Sequence, residues 1–168
     1  LLDHVPDRPV MLGGAGLMVA ILAGLALWIA VAGLSWPVLL GGWFFMGLGY
    51  SAVLTPSGRL LRRSSHTEDR PALFAAQFAL SHACWLITYP LSGWLMTAFG
   101  PVTTLVSLAG LAAVGAGAAL RLWPIEDPEV MVHTHDNLPL DHPHLAGHRR
   151  HAHRFVVDDE HPRWGSQL

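Results

Sequence analysis

The sequence predicts an all-α membrane protein, four transmembrane helices followed by a His-rich cytoplasmic tail that is largely disordered, and three observations carry that reading. The chain of 168 residues is 52% hydrophobic and only 13% charged, whereas a soluble domain carries roughly a quarter charged residues. Four segments, 10–34, 36–55, 73–99 and 102–123, each reach the roughly 20 helical residues that cross a hydrocarbon core of about 30 Å. Their one charged side chain is Arg121, in the last turn of the fourth, where a long side chain reaches the headgroups. Beyond Trp123 the composition reverses, because residues 124–168 hold eight of the twelve acidic residues and eight of the eleven His. The chain therefore divides into a membrane domain, 1–123, and a tail, 124–168.

Composition also excludes several classes. The net charge is -2 and the ten basic residues are all Arg, with no polybasic run, so nucleic acid is not a partner and the lipid bilayer is. A single Cys, Cys84, excludes a disulfide framework and a Cys-based zinc module. Buried helices of a soluble protein would carry a polar stripe, which the first segment lacks. That segment is no cleaved leader either, since Asp3, Asp7 and only Arg8 precede it. The spans hold no carboxylate pair, activated nucleophile or phosphate-cradling glycine loop, so enzyme activity is not expected.

Loop charges set the orientation. Arg8, the four Arg of the central loop (Arg59, Arg62, Arg63 and Arg70) and Arg121 fall on one side, while the turns near Ser35 and Gly100 to Pro101 are uncharged. An excess of basic residues on one side marks the cytoplasm, which places both ends of this segment and the central loop there. Arg59, Arg62 and Arg63 read first as topological anchors, and second as binders of lipid or substrate.

The four helices differ in polarity. The first has no side chain more polar than Trp28 and the fourth only Thr103, Thr104 and Ser107, so both are expected to face lipid around most of their circumference. The second carries Gly41, Gly42, Gly47 and Gly49, which let a neighbouring backbone approach closely. The third places Gln77, Ser81, Cys84, Thr88 and Ser92 four, three, four and four residues apart, hence on one narrow face. Such a stripe serves either interhelical hydrogen bonding or a hydrated passage. His82 and Tyr89 flank it, and Pro90 frees the carbonyl of Leu86. His82 is the one side chain in the spans that titrates near neutral pH, a candidate way-station for a proton or metal ion.

The stretch Asp3 to Met11, followed by Leu12, Gly13 and Gly14, resembles the cytoplasmic loop before the ninth helix of major facilitator superfamily transporters, with the repeated basic residues reduced to Arg8. Gly49-Tyr50-Ser51, leading through Thr55-Pro56 to the Arg-rich loop, is similar to that family's tenth helix and the link to the eleventh. The resemblance implies a partial facilitator fold, with the four spans as helices nine to twelve and Asp3, Asp7 and Arg8 in a gating loop. The chain opens at Leu1 without an initiator Met, from which an upstream part supplying the other helices is expected.

The tail repeats His-x-His three times: His133 and His135, His142 and His144, His151 and His153, with His148 and His161 besides. In an extended chain residues i and i+2 point the same way, about 6 to 7 Å apart, so two imidazoles can close on one ion. Imidazole suits zinc, copper, nickel and iron; Asp136 and Asp141 can complete or orient a site, and the lack of Cys or Met in the repeats disfavours Cu(I). Proline at 128, 139, 143 and 162 argues against a long helix. No permanently bound cofactor is expected, only reversible nickel, cobalt or zinc, and protons compete for imidazole below about pH 6.5. The competing reading is a merely solubilising tail or an expression tag; interruption by Thr, Pro, Ala and acids tells against a tag.

The tail is similar in composition to the His-rich cytoplasmic tails of facilitator-type metal-resistance exporters, the nickel group above all. This resemblance implies a bacterial inner-membrane exporter of divalent metal ions driven by proton exchange. Gln77, Ser81, His82, Cys84, Thr88 and Tyr89 would line part of its passage. Two alternatives stand beside it: a facilitator exporting drugs or other small organic compounds, and a self-contained four-helix membrane protein that senses or stores metal.

Overall fold

The computed structural model describes residues 5–126, 128, 130–135, 138–139, 141–145, 147–154 and 156. Among them the chain forms three long helices, α1 (Asp7–Ala32), α2 (Trp36–Arg63) and α3 (Arg70–Leu122), then a strand β1 (Val130–Thr134), a single 3-10 turn (Pro143–Leu145) and a strand β2 (Arg150–Arg154). All three helices are long and apolar enough to cross a membrane. Most of their large apolar side chains, Leu27, Val31, Phe44, Leu86, Ile87 and Val114 among them, stay exposed in the folded chain. Helices that leave so much apolar surface uncovered are stable only in an apolar medium.

α1 ends at Gly33, whose left-handed φ of 78° suits a residue without Cβ and whose N–H caps Ile29 O at 3.1 Å. Pro37 then opens α2 in its first turn, where its missing N–H costs no intrahelical bond.

Four separate helices were expected, and the structure joins the third and fourth without an intervening loop. Residues 73–99 and 102–123 belong to one element of 53 residues. A straight helix of that length would span about 80 Å. Yet both ends of α3 lie at one end of the bundle. Arg70 Nη2 donates to Arg62 O at 3.3 Å at one terminus, and at the other Arg8 of α1 donates from Nε to Trp123 O at 3.2 Å and from Nη2 to Leu120 O at 3.3 Å. Asp7, beside Arg8, pairs in turn with Arg59 of α2. α3 therefore doubles back, and it does so at Gly100, the one position within it with non-helical dihedrals (φ 79°, ψ 178°). Glycine takes that φ without steric cost, and Pro101 fits the first turn of the second arm. Thr104 Oγ1 donates to Gly100 O at 2.9 Å and ties the turn to that arm. The helix runs through Pro90 without leaving helical geometry.

The helices also outrun the apolar segments. α2 continues past Thr55 to Arg63 and α3 starts at Arg70, so Arg59, Arg62 and Arg63 sit on helix and the connection shrinks to residues 64–69. Apolarity marks where lipid ends, not where backbone hydrogen bonding does.

α1, expected to face lipid around most of its circumference, is also the helix on which both others pack, while α2 and α3 barely meet. Its Gly14, Leu22 and Ala26 are buried. At the crossing with α2, a Cβ on Gly14 would lie 2.7 Å from Gly49 O and 2.8 Å from the Ala52 methyl, and a Cβ on Gly42 would lie 2.8 Å from Leu25 Cδ1. Backbone thus meets backbone, as small residues permit in membranes. Of the four glycines expected to serve this role, Gly49 does, Gly42 makes room for the Leu25 side chain, and Gly41 and Gly47 face open space.

The tail, expected to be mostly extended or disordered, holds two extended segments that pair. β1 and β2 pair antiparallel, Met131 opposite His153 and His133 opposite His151. Alternation at 130–134 and 150–154 is a strand pattern, and Gly147 supplies a left-handed residue (φ 86°) before β2.

Candidate functional site

The hairpin's alternation gathers the tail histidines. In β1 the buried positions are Met131 and His133, and in β2 the less exposed ones are His151 and His153. Cross-strand partners share a face, so these three imidazoles project from one side of the sheet. The bond from His135 N–H to Arg149 O, 3.1 Å, continues the pairing and keeps His135 beside them, 2% exposed. The 3-10 turn closes over the cluster: Leu145 is wholly buried, which anchors the turn, and the preceding His144 points its ring inward.

His144 Nε2 is the centre of the arrangement. It lies 3.0 Å from His135 Nε2, 3.2 Å from His151 Nε2 and 3.2 Å from His153 Nε2. One ring nitrogen holds either one proton or one lone pair, so it satisfies one such contact and not three. The partners' tautomers sharpen the point. His133 Nδ1 faces Met131 O at 3.2 Å, His151 Nδ1 faces His148 O at 3.2 Å, and His153 Nδ1 faces Arg154 O at 2.7 Å. A carbonyl only accepts, so each Nδ1 bears a proton, and in the neutral ring the lone pair is then on Nε2. A ring held by Nδ1–H on a backbone carbonyl, with Nε2 free to ligate, is the arrangement that orients metal-bound imidazoles.

The ligand atoms of His133, His144, His151 and His153 all lie within 4.8 Å of one another. Zinc bound at about 2.0–2.1 Å to four imidazoles keeps tetrahedral neighbours about 3.3–3.4 Å apart, close to the spacing around His144 Nε2. The donor set suits a borderline divalent ion, which would draw the more distant rings together.

Not every predicted ligand joins. His142 Nδ1 accepts from the His144 N–H at 3.3 Å and so braces the turn, and His148 offers its carbonyl while its ring is exposed. Asp141 is exposed and outside the four-residue group. His161 and Asp136 lie outside the described residues.

A second cleft, about 460 Å³, opens between the start of α1, the second half of α2 and the first arm of α3. Of the predicted pathway residues it collects Gln77, Ser81 and His82, together with Tyr50, Ser57, Phe78 and Trp85. His82 packs against Phe78 and Trp85, ring centroids 3.8 and 4.7 Å away, and its Nδ1 donates to Phe78 O at 2.8 Å, leaving Nε2 as acceptor. Cys84, Thr88 and Tyr89 lie further along the arm and do not line this cleft. The hydroxyls of Ser81, Thr88 and Ser92 donate to Gln77 O, Cys84 O and Tyr89 O of their own helix rather than to a neighbour. Tyr50, read from the sequence only as part of the Gly49-Tyr50-Ser51 motif, and Ser57 were not placed at a passage although their seven-residue spacing puts them on one face.

The charged end of the bundle is built as a clasp. Asp7 is 8% exposed and its Oδ1 accepts from Arg59 Nε at 3.0 Å and from Arg59 Nη2, which also reaches Val5 O. The neighbouring Arg8 caps the terminal carbonyls of α3, where a cation also complements the helix dipole. Arg63 faces a groove of about 670 Å³ between the ends of α2 and α3, and Arg62 contributes its carbonyl to Arg70. Asp3 lies outside the described residues.

Residues 1–152 match the family described as Major Facilitator Superfamily, a match that covers the whole helical region and most of the His hairpin. No curated protein and no solved structure matches the chain.

Proposed function

Since the chain belongs to the Major Facilitator Superfamily, a family of multi-pass membrane transporters, we propose that it forms the last four spans and tail of an exporter of divalent metal ions, of the nickel, cobalt or zinc type, coupled to proton exchange. The spans are α1, α2 and the two arms of α3, and the functional division falls at residue 123. Both ends of the segment and the connection at 64–69 lie in the cytoplasm of a bacterial-type inner membrane, a placement supported by the gathering of Arg8, Arg59, Arg62, Arg63 and Arg70 at one end of the bundle.

The observation that carries the metal reading is the gathering of His133, His144, His151 and His153, whose ligand atoms all lie within 4.8 Å of one another. The hairpin collects ions from the cytoplasm and, tethered a few residues beyond α3, raises their concentration at the entrance. Gln77, Ser81 and His82 form one wall of the passage, with His82 Nε2 as a site for a proton or an ion in transit. No step of chemical catalysis is assigned to the chain.

A second reading rests on the cleft itself. Tyr50, Phe78 and Trp85 give it an aromatic wall suited to an organic cargo. Resistance profiling of cells that express the full-length gene encoding this chain separates the two. Metal export predicts severalfold higher tolerance to nickel, cobalt or zinc, reduced by His144→Ala. Tolerance to hydrophobic drugs without any change towards these metals would contradict it and favour the organic cargo.

A further inference from the structure

His66 belongs to no predicted site, yet it lines the same cavity, about 380 Å³, as His144, His151 and His153. It sits in the short connection between α2 and α3, far from the tail in sequence. Its placement is fixed locally. α2 is capped at Ser64, whose N–H reaches Leu60 O at 3.1 Å; Ser65 is buried with its hydroxyl on Leu61 O; and the His66 carbonyl accepts from the Asp69 N–H at 3.2 Å. A turn closed in this way fixes the backbone from which the His66 side chain reaches the cavity it shares with the hairpin.

Building on the reading that the tail binds divalent metal, we propose that the ion site is shared. His133, His144, His151 and His153 hold the ion while His135 stays packed against His144, and His66 supplies a fifth ligand nitrogen from the membrane domain, so that metal binding clamps the hairpin onto the α2–α3 connection.

The chemistry favours nickel as the ion that uses the clamp. Zinc in a structural site closes at four ligands, while nickel(II) accepts tetragonal sets with further axial donors. A fifth nitrogen on the open wall therefore adds most to a nickel complex. The mechanical consequence follows from the connectivity: an occupied site links residues 64–69, at the ends of α2 and α3, to the strand that begins eight residues beyond α3. The tail then reports ion supply to the helix ends as a latch, in addition to concentrating the cargo.

The test uses the full chain in detergent micelles, with nickel as probe, in a Cys84→Ser background that carries spin labels at Thr67→Cys and Arg150→Cys, both exposed positions. Wild-type His66 is expected to give one tight site per chain and a narrowed label distance on adding nickel. His66→Ala is expected to lower the affinity by about ten- to hundredfold, the range lost when a partner of a metal-bound imidazole is removed, and to abolish the narrowing. Equal affinity and equal narrowing in His66→Ala would overturn the clamp and leave the four-histidine site standing. No nickel binding by the wild type would remove both the clamp and the metal reading of the tail.

Discussion

Replacing His144 with Ala is expected to lower the affinity of the full chain for nickel or zinc by about a hundredfold or more, since partners of metal-bound imidazoles alone are worth about 10–100-fold. The size of the effect follows from its position. His135, His151 and His153 each bring Nε2 within 3.2 Å of His144 Nε2, so its removal takes away the nitrogen on which the others converge. His148→Ala provides the contrast. That ring is exposed, and its contribution to the site is a backbone carbonyl that the substitution preserves, so binding should stay within about twofold, well under the ~1.4 kcal/mol that a tenfold change represents. Competition against a chromophoric chelator measures both. Protons and the ion compete for the same ring nitrogens, so affinity should weaken as the medium is acidified. Equal binding by the two variants would mean that the ion sits elsewhere.

Gly14→Val is expected to break the packing of α1 on α2. The first added carbon already lies 2.7 Å from Gly49 O and 2.8 Å from the Ala52 methyl, and the nearer of these is backbone, which cannot swing aside. The helices must separate, at a cost of about 1–3 kcal/mol or more for an overpacked contact. Close approach is also what holds such helices together in lipid, where no hydrophobic driving force distinguishes a neighbour from an acyl chain. Thermal denaturation in detergent should therefore show a lower midpoint for Gly14→Val and none for Gly41→Ala, whose added methyl meets open space. A Gly14→Val variant as stable as the parent would show that α1 and α2 do not cross at this point.

What the sequence disclosed and what it hid divide along physical lines. The membrane domain was legible because desolvation forbids charge over a long stretch, and Arg121 stands alone among the apolar segments. The turn at Gly100 and Pro101 was legible for the same reason that these two residues tolerate it. Helix ends were not, since the hydrogen-bonded ladder carries Arg59, Arg62 and Arg63 beyond the apolar boundary. Nor was the central place of α1: a helix uniformly apolar gives no face for a sequence pattern to mark, and the decisive Gly14 is small rather than hydrophobic.

The tail shows the same mixture. The His-x-His spacing led to paired imidazoles, and His151 with His153 is such a pair, both held on one face of β2. The partners across the sheet depend on register, His133 opposite His151, which no local pattern specifies. His144 enters from a turn rather than a strand, so its neighbour His142 does not follow it into the cluster. His66 escaped notice because a lone histidine in a connection carries no signal until the fold brings the hairpin beside it.

The most direct measurement is the sidedness of the two charged regions in sealed inner-membrane vesicles of known orientation. In a Cys84→Ser background, Arg62→Cys and His142→Cys are tested singly with a membrane-impermeant maleimide. Both are expected to react from the cytoplasmic face and neither from the opposite one, as the proposed orientation requires of the end of α2 and the His hairpin. Labelling of the two from opposite faces, or partition of the unlabelled chain into the aqueous phase without detergent, would contradict it.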